Sequence, residues 1–130
     1  MSNLTMPTMT YAALLPRFAN HPARRIANLT KAQLFFDHIG IYHHGNRIAA
    51  LYSDDSIFIT NSGWETPTTR TRLNKILRDN DIFWSVTQKN FVQYLVNDVT
   101  RYRRENFYSA EFNMRGSLVR FNGYNTVTGK

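Results

Sequence analysis

Between Asn61 and Asn74 the chain reads Asn-Ser-Gly-Trp-Glu-Thr-Pro-Thr-Thr-Arg-Thr-Arg-Leu-Asn, an order that few local structures accommodate. Gly63 supplies the backbone freedom of a tight turn. Thr66 offers the hydroxyl of a helix N-cap, and Pro67 suits the first helical position, where its missing N–H removes nothing. Thr68 and Thr69 add hydroxyls beside the open amides of the first turn. The stretch therefore ends one element, turns at a glycine and starts a helix. Beyond it, Thr69, Leu73, Ile76 and Leu77 recur on one helical stripe, with Thr71, Lys75 and Arg78 opposite and Arg72 near that outer face. The helix is expected to end by Asn80.

Residues 1–10 are polar, contain Pro7 and three methionines, and lack periodicity, which predicts a flexible N-terminal arm. A short helical turn is predicted from Tyr11 to Leu15, stopped by Pro16, and another from Ala23 to Asn28 behind Pro22. Thr30 and Gln33 have capping-box spacing ahead of Leu34-Phe35-Phe36. From Ile39 the pattern turns to β. Ile39 to Tyr42, Arg47 to Ser53 and Ser56 to Thr60 form a predicted antiparallel meander, with turn chemistry at His44-Gly45-Asn46 and Asp54-Asp55.

Past the central helix, Ile82 to Gln88 reads as a strand. Asn90 and Gln93 again have capping-box spacing, and Val92, Leu95, Val96 and Val99 recur at helical spacing. This predicts a second helix with Arg101, Arg103 and Arg104 in its last turn, where cations complement the helix dipole. The density of β-branched residues also fits a strand over Phe91 to Val96, so residues 91–99 stay open between the two. Phe107 to Met114 and Ser117 to Phe121 read as a hairpin across Arg115-Gly116, and residues 123–130 as a frayed tail. The expected fold is a single α+β domain over residues 11–122. An antiparallel sheet of about five or six short strands would be packed by two main helices, with short N-terminal helical turns beside it.

Charge constrains the partners. The formal net charge is +7, twelve of the sixteen basic residues are arginine, and no acidic residue precedes Asp37. Long-range attraction then favours polyanions or acidic proteins. At 130 residues, with 42% hydrophobic and 14% aromatic residues, the chain can build one packed core rather than remain disordered. The absence of cysteine excludes disulfides, thiolate zinc sites and a cysteine nucleophile. No apolar run approaches the ~18–20 residues of a membrane span, and the first residues lack the pattern of a secretion signal, so no membrane partner is expected.

The turn-to-helix stretch resembles an uncharacterised family of small domains encoded largely by bacteriophages. The likeness rests on a Gly-Trp-x-Thr-x-Thr-Thr signature followed by an arginine and an asparagine. It is carried here by Asn61, Gly63, Trp64, Thr66, Thr68, Thr69, Arg72 and Asn74. His44-x-Asn46, the strand from Arg47 to Tyr52, and Trp84-Ser85-Val86 are also similar, so the resemblance spans roughly residues 42–90. It differs in Ser62, where a Gly-Gly pair is usual, and in Pro67 within the threonine run. The resemblance implies a phage origin and an α+β fold, while the lack of cysteine, of a secretion pattern and of a membrane span leads to an expected location in the host cytoplasm or the virion. The resemblance implies no settled activity, so it assigns no residue a role.

Chemistry-bearing clusters are sparse. His38, His43 and His44 lie near Asp37, but a strand over Ile39 to Tyr42 would send His43 and His44 to opposite faces, so no metal site is expected. Asp54-Asp55 reads as turn chemistry rather than a magnesium site. No nucleophile elbow, Walker loop or dinucleotide fingerprint occurs, and the expectation is a protein without catalytic residues or cofactor. Trp64 and Trp84 are expected over the core. The most suggestive group is Arg101-Tyr102-Arg103-Arg104, joined by Arg72, Lys75 and Arg78 on the outer face of the central helix. Arginine forks suit phosphate, and interleaved aromatics stack on bases. The expected function is that of a non-catalytic phage accessory protein binding DNA or RNA through this basic face. The alternative is a protein-interaction module, a virion component or an inhibitor of host machinery, docking on an acidic host or viral protein or on copies of itself.

The cap and turn assignments are directly testable. Thr66→Ala should cost about 1 kcal/mol through the lost N-cap, and Gly63→Val should cost more if Gly63 holds a positive φ. Denaturant melts measure both, and an unchanged midpoint for Gly63→Val would show that the turn is unstrained.

Overall fold

A computed structural model describes residues 6–130. The chain opens with a single helical turn, α1 (Tyr11–Leu14), capped by Thr10 Oγ1, which accepts the Ala13 N–H at 3.1 Å. The turn continues as a 3₁₀ segment, Leu15–Phe18, in which Pro16 occupies the start rather than a stop.

The next segments correct the sequence reading. Ala23–Ala27 is strand β1 and Thr30–Leu34 is strand β2, paired antiparallel with Arg24 opposite Ala32 and Arg25 opposite Lys31. No helix starts at Thr30 because its hydroxyl is used otherwise, donating to the Asn28 carbonyl at 3.1 Å and meeting His43 Nδ1 at 2.8 Å. The expected meander then follows as β3 (His38–His43), β4 (Asn46–Tyr52) and β5 (Ile57–Thr60). His44 (φ +52°) and Gly45 (φ +79°) form the tight turn between β3 and β4.

After β5 the chain leaves the sheet. The Gly63 turn (φ +80°) leads into α2 (Pro67–Asp79), whose N-cap Thr66 accepts the Thr69 N–H at 3.2 Å, as the sequence predicts. Strands β6 (Trp84–Lys89), β7 (Val92–Asn97) and β8 (Arg103–Glu105) then form a separate three-stranded antiparallel sheet. Strand β9 (Ser109–Phe112) returns to pair with β5, Thr60 opposite Ser109 and Ile57 opposite Phe112, and β10 (Leu118–Phe121) and β11 (Tyr124–Asn125) complete that edge. The larger sheet thus holds eight strands in the order β1-β2-β3-β4-β5-β9-β10-β11.

The protein is mostly β, which overturns the expected α+β domain of two main helices on a smaller sheet. The second helix does not exist. Asn90 (φ +51°) and Phe91 (φ +65°) are the two central residues of a hairpin turn joining Lys89 to Val92, a geometry that suits asparagine as well as a helix cap does. Val92 and Val96 then prefer the extended backbone. Asn97 ends β7 by accepting the Val99 and Thr100 N–H groups on its side-chain oxygen, each at 2.9 Å. Asn122 (φ +53°) and Gly123 (φ +85°) make another such turn, so the expected C-terminal tail begins with a paired strand.

One core serves both sheets. Ile39, Ile41, Ile48, Leu51, Ile57 and Ile59 of the large sheet meet Leu73, Ile76 and Leu77 of α2, together with Val86, Leu95, Phe107 and Phe112. Each such side chain contributes about 1.5–3 kcal/mol on burial. Met9, in the segment expected as an arm, is also fully buried. Its N–H donates to Asp79 Oδ2 (2.9 Å) and its carbonyl accepts from Asn80 Nδ2 (2.8 Å). Residues 1–5 of that segment lie outside the described residues.

Polar side chains dock the excursion onto the large sheet. Buried Asn61 donates through Nδ2 to Gln93 Oε1 and to the Phe107 carbonyl, both at 2.9 Å, and its Oδ1 accepts the Gly63 N–H at 2.9 Å. Asn74 grips β6 as a strand would, donating to the Val86 carbonyl (2.9 Å) and accepting the Val86 N–H (2.7 Å). Ser62 Oγ donates to the Arg47 carbonyl on β4.

Two substitutions test this architecture. Asn61→Ala strands buried partners on Gln93 and Phe107, each worth about 1–3 kcal/mol, so the urea midpoint should fall sharply. Met9→Ala should cost about 2–5 kcal/mol as a large-to-small change in the core. A melting temperature unchanged by Met9→Ala would return that segment to the status of an arm.

Candidate nucleic-acid interface

The seven basic and aromatic residues nominated from the sequence do not share one surface. On α2, Arg72 turns inward to clamp the β1–β2 turn. Its Nε donates to Thr30 Oγ1 (3.2 Å), its Nη2 to the Asn28 carbonyl (3.3 Å) and its Nη1 to Met6 Sδ (3.4 Å). Lys75 pairs with Asp79 Oδ2 at 2.6 Å one turn along the helix. Arg78 is exposed. The helix stripe is therefore largely committed to the fold.

Strand alternation divides the other group. Tyr102 and Arg104 lie toward β10, where the Arg104 guanidinium sits 5.5 Å from the ring centroids of both Tyr102 and Phe121. Arg104 Nε is buried and has no hydrogen-bond partner among the described residues. Arg101 and Arg103 fall on the opposite, solvent-facing side of the small sheet.

There they meet residues that the sequence reading did not nominate. Ser85, Thr87 and Lys89 from β6 and Tyr94 from β7 join Arg101 and Arg103 around a groove of about 380 Å³. The Arg103 guanidinium lies 5.0 Å from the Tyr94 ring centroid, a cation–π contact that holds both outward. Arg101 adopts φ +65° in the Asn97 turn, its N–H donating to the Asn97 carbonyl at 2.9 Å. Asp98 borders the groove and accepts from Ser85 Oγ at 2.7 Å, while Glu105 pairs in register with Tyr94. Three cations beside one aromatic ring can bind phosphates and stack a base or sugar. The strand reading of Phe91 to Val96 held the missing signal, because period-two alternation sets Tyr94 across from Thr87 and next to Lys89.

Strand alternation does not send His43 and His44 to opposite faces as expected, because His44 sits in the turn after β3 with φ +52° and the two rings meet edge to face with centroids 4.6 Å apart. His38 lies on the outer sheet face, its Nδ1 2.7 Å from Asp37 Oδ1 and its Nε2 3.1 Å from Arg47 Nη2. The hydrogen bond with His38 lowers the Asp37 carboxyl below its ordinary range. His43 is buried in the core, and His44 lies beside Trp64. Trp84 packs against the core as expected, whereas Trp64 is 51% exposed. Asp54 does serve as turn chemistry, accepting from Ser56 Oγ and the Ser56 N–H, and these bonds lower its carboxyl.

A family model described as Kyanoviridae Gp96 protein matches residues 20–126. The chain belongs to this phage protein family. The match takes in both sheets and the helix between them, well beyond the stretch that carried the sequence resemblance. Neither the curated proteins nor the solved structures contain a match to the chain. Among the described residues, no helix is long and apolar enough to cross a membrane.

His43 supplies a pH test. Burial pushes its pKa below the ordinary 6.5, with the neighbouring His44 and Arg72 acting in the same direction. As pH falls through 6.5 the unfolded chain gains a proton at this site before the folded one does, so stability is lost on acidification and regained as pH rises. The His43→Gln variant should show a flatter dependence of the urea midpoint on pH below that point. An identical slope would mean that His43 takes up a proton as readily in the folded protein as in the unfolded chain.

Proposed function

We propose that this member of the phage family is a non-catalytic accessory protein that binds DNA or RNA across the outer face of its three-stranded sheet, in the host cytoplasm or on the virion. The observation that carries the reading is the convergence of Lys89, Arg101 and Arg103 with Tyr94 around one open groove. An overall charge of +7 would draw a polyanion toward it. The groove presents no base-reading array of amides, so recognition would run through phosphate and stacking and tolerate sequence.

The rival reading, an interaction module for an acidic host or viral protein, draws on a second cleft of about 550 Å³. Exposed Phe83, Val99 and Tyr102 line it together with Arg104 and Arg115. Aromatic and arginine side chains are the groups enriched at protein interfaces.

A salt titration separates the two. Each phosphate neutralised contributes a slope of about −0.9 in log affinity against log salt on duplex DNA. Replacing Lys89, Arg101 and Arg103 together with glutamine should flatten the slope by about two to three units and weaken binding to all sequences alike. The variant should fold normally, because these side chains are exposed. No binding of DNA or RNA by the wild type at low salt would refute the nucleic-acid reading, and a nuclease-resistant protein partner would then favour the rival.

A further inference from the structure

The turn-to-helix stretch forms a further concavity, a cleft of about 170 Å³ that shares no lining residue with the groove. His43, His44, Trp64, Thr66 and Thr68 line it, with Ile48 contributing an apolar wall. The backbone at its rim leaves one donor open. Arg70 N–H makes the first helical bond to the Thr66 carbonyl, Thr69 N–H goes to Thr66 Oγ1, and Pro67 has no N–H. Thr68 N–H is what remains without a partner among the described residues, at the positive end of a thirteen-residue helix with no acidic residue in its first turn.

A buried group points independently to a ligand. His43 is only 4% exposed, and its Nε2 has no hydrogen-bond partner among the described residues. The Thr30 hydroxyl donates its one proton to the Asn28 carbonyl, so it accepts from His43 Nδ1–H at 2.8 Å and leaves Nε2 as a single unmet acceptor. Such a group costs stability unless something completes it. At the mouth, the rings of His44 and Trp64 lie within 16° of parallel with centroids 6.4 Å apart. Trp64 is half exposed there, so its open indole face can take a planar ring in stacking contact beside His44.

We propose that this cleft seats one nucleotide unit, its base stacked on Trp64 beside His44 with an edge hydrogen-bonded to His43 Nε2, and its phosphate at the Thr68 N–H. The cleft is smaller than the ~300–1,000 Å³ of whole small-molecule sites, which suits a single inserted ring with the sugar and phosphate at the rim. The unit has two sources, a free mononucleotide or an unpaired nucleotide of a strand. Only the second rests on the nucleic-acid reading above.

Titrations with deoxyadenosine monophosphate, inorganic phosphate, single-stranded oligo(dT) and a blunt duplex test the site, read by indole fluorescence and calorimetry. The mononucleotide or the single strand should quench Trp64 saturably, and Trp64→Leu should weaken binding by about tenfold or more while Trp64→Phe retains most of it. Thr68→Glu should abolish binding by repelling the phosphate, yet keep or raise the melting temperature, because an acidic first turn favours the helix. The Lys89/Arg101/Arg103 glutamine variant should bind the mononucleotide as the wild type does. Mononucleotide binding without strand binding would overturn the groove reading alone and leave the cleft standing. Strand binding untouched by Trp64→Leu and Thr68→Glu, with no mononucleotide binding, would overturn the cleft alone. Inorganic phosphate binding as tightly as the mononucleotide would also overturn it, since the base would then contribute nothing.

Discussion

The buried amide of Asn61 is the joint on which the rest of the structure turns. Its side chain reaches Gln93 on β7 and the Phe107 carbonyl just before β9, while its backbone pairs with Tyr108 and Trp64. One residue therefore fixes where the chain leaves the large sheet, where the small sheet docks and where the chain comes back. A buried amide bonded on all sides has few alternative arrangements, and stranding any partner costs its desolvation. That makes the junction specific as well as stable. Asn74 repeats the device one layer away by taking the place of a strand beside Val86.

The arginine content has to be read in this light. Arg72 holds the β1–β2 turn against α2, and Arg104 lies between two aromatic rings, so both contribute packing as much as charge. Arg101 and Arg103 differ because they stand on the solvent side of strands whose other face is already buried. A basic composition thus supplies a general attraction to anions, and only the subset that the fold leaves outward can become a binding surface.

The residues of the turn-to-helix stretch are explained largely by architecture. Gly63 takes the positive φ, Thr66 caps, Arg72 clamps and Asn74 and Asn61 dock. Trp64 stands apart. It follows the turn glycine but remains half exposed beside His44, over a cleft with an unmet imidazole nitrogen beneath. A large aromatic left in solvent at a structurally constrained turn has no packing reason to be there, which is why the site proposed for it rests on geometry rather than on the family match.

What could be read directly from the residues was whatever depends on neighbours three or four positions apart. The N-cap at Thr66, the helix stripe from Thr69 to Leu77, the β3–β5 meander and the β9–β10 hairpin all follow from such local rules. The Asn122-Gly123 hairpin is equally local, an Asn-Gly pair at positive φ joining β10 to β11. Where the rules tied, tertiary structure decided. Asn90 serves a helix cap or a type I′ turn, and valines at 92 and 96 satisfy a helical stripe or one face of a strand. The outcome depended on β6 and β8 being present to pair with. Thr30 could cap a helix locally but found His43 and Arg72 across the sheet instead. The candidate groove was half legible, because Arg101 and Arg103 were conspicuous while Lys89 and Tyr94 became their neighbours only through strand pairing. The eight-stranded order itself needs β9 to find β5 after the whole excursion, a contact whose loop-closure cost no local pattern encodes and only the shared core repays.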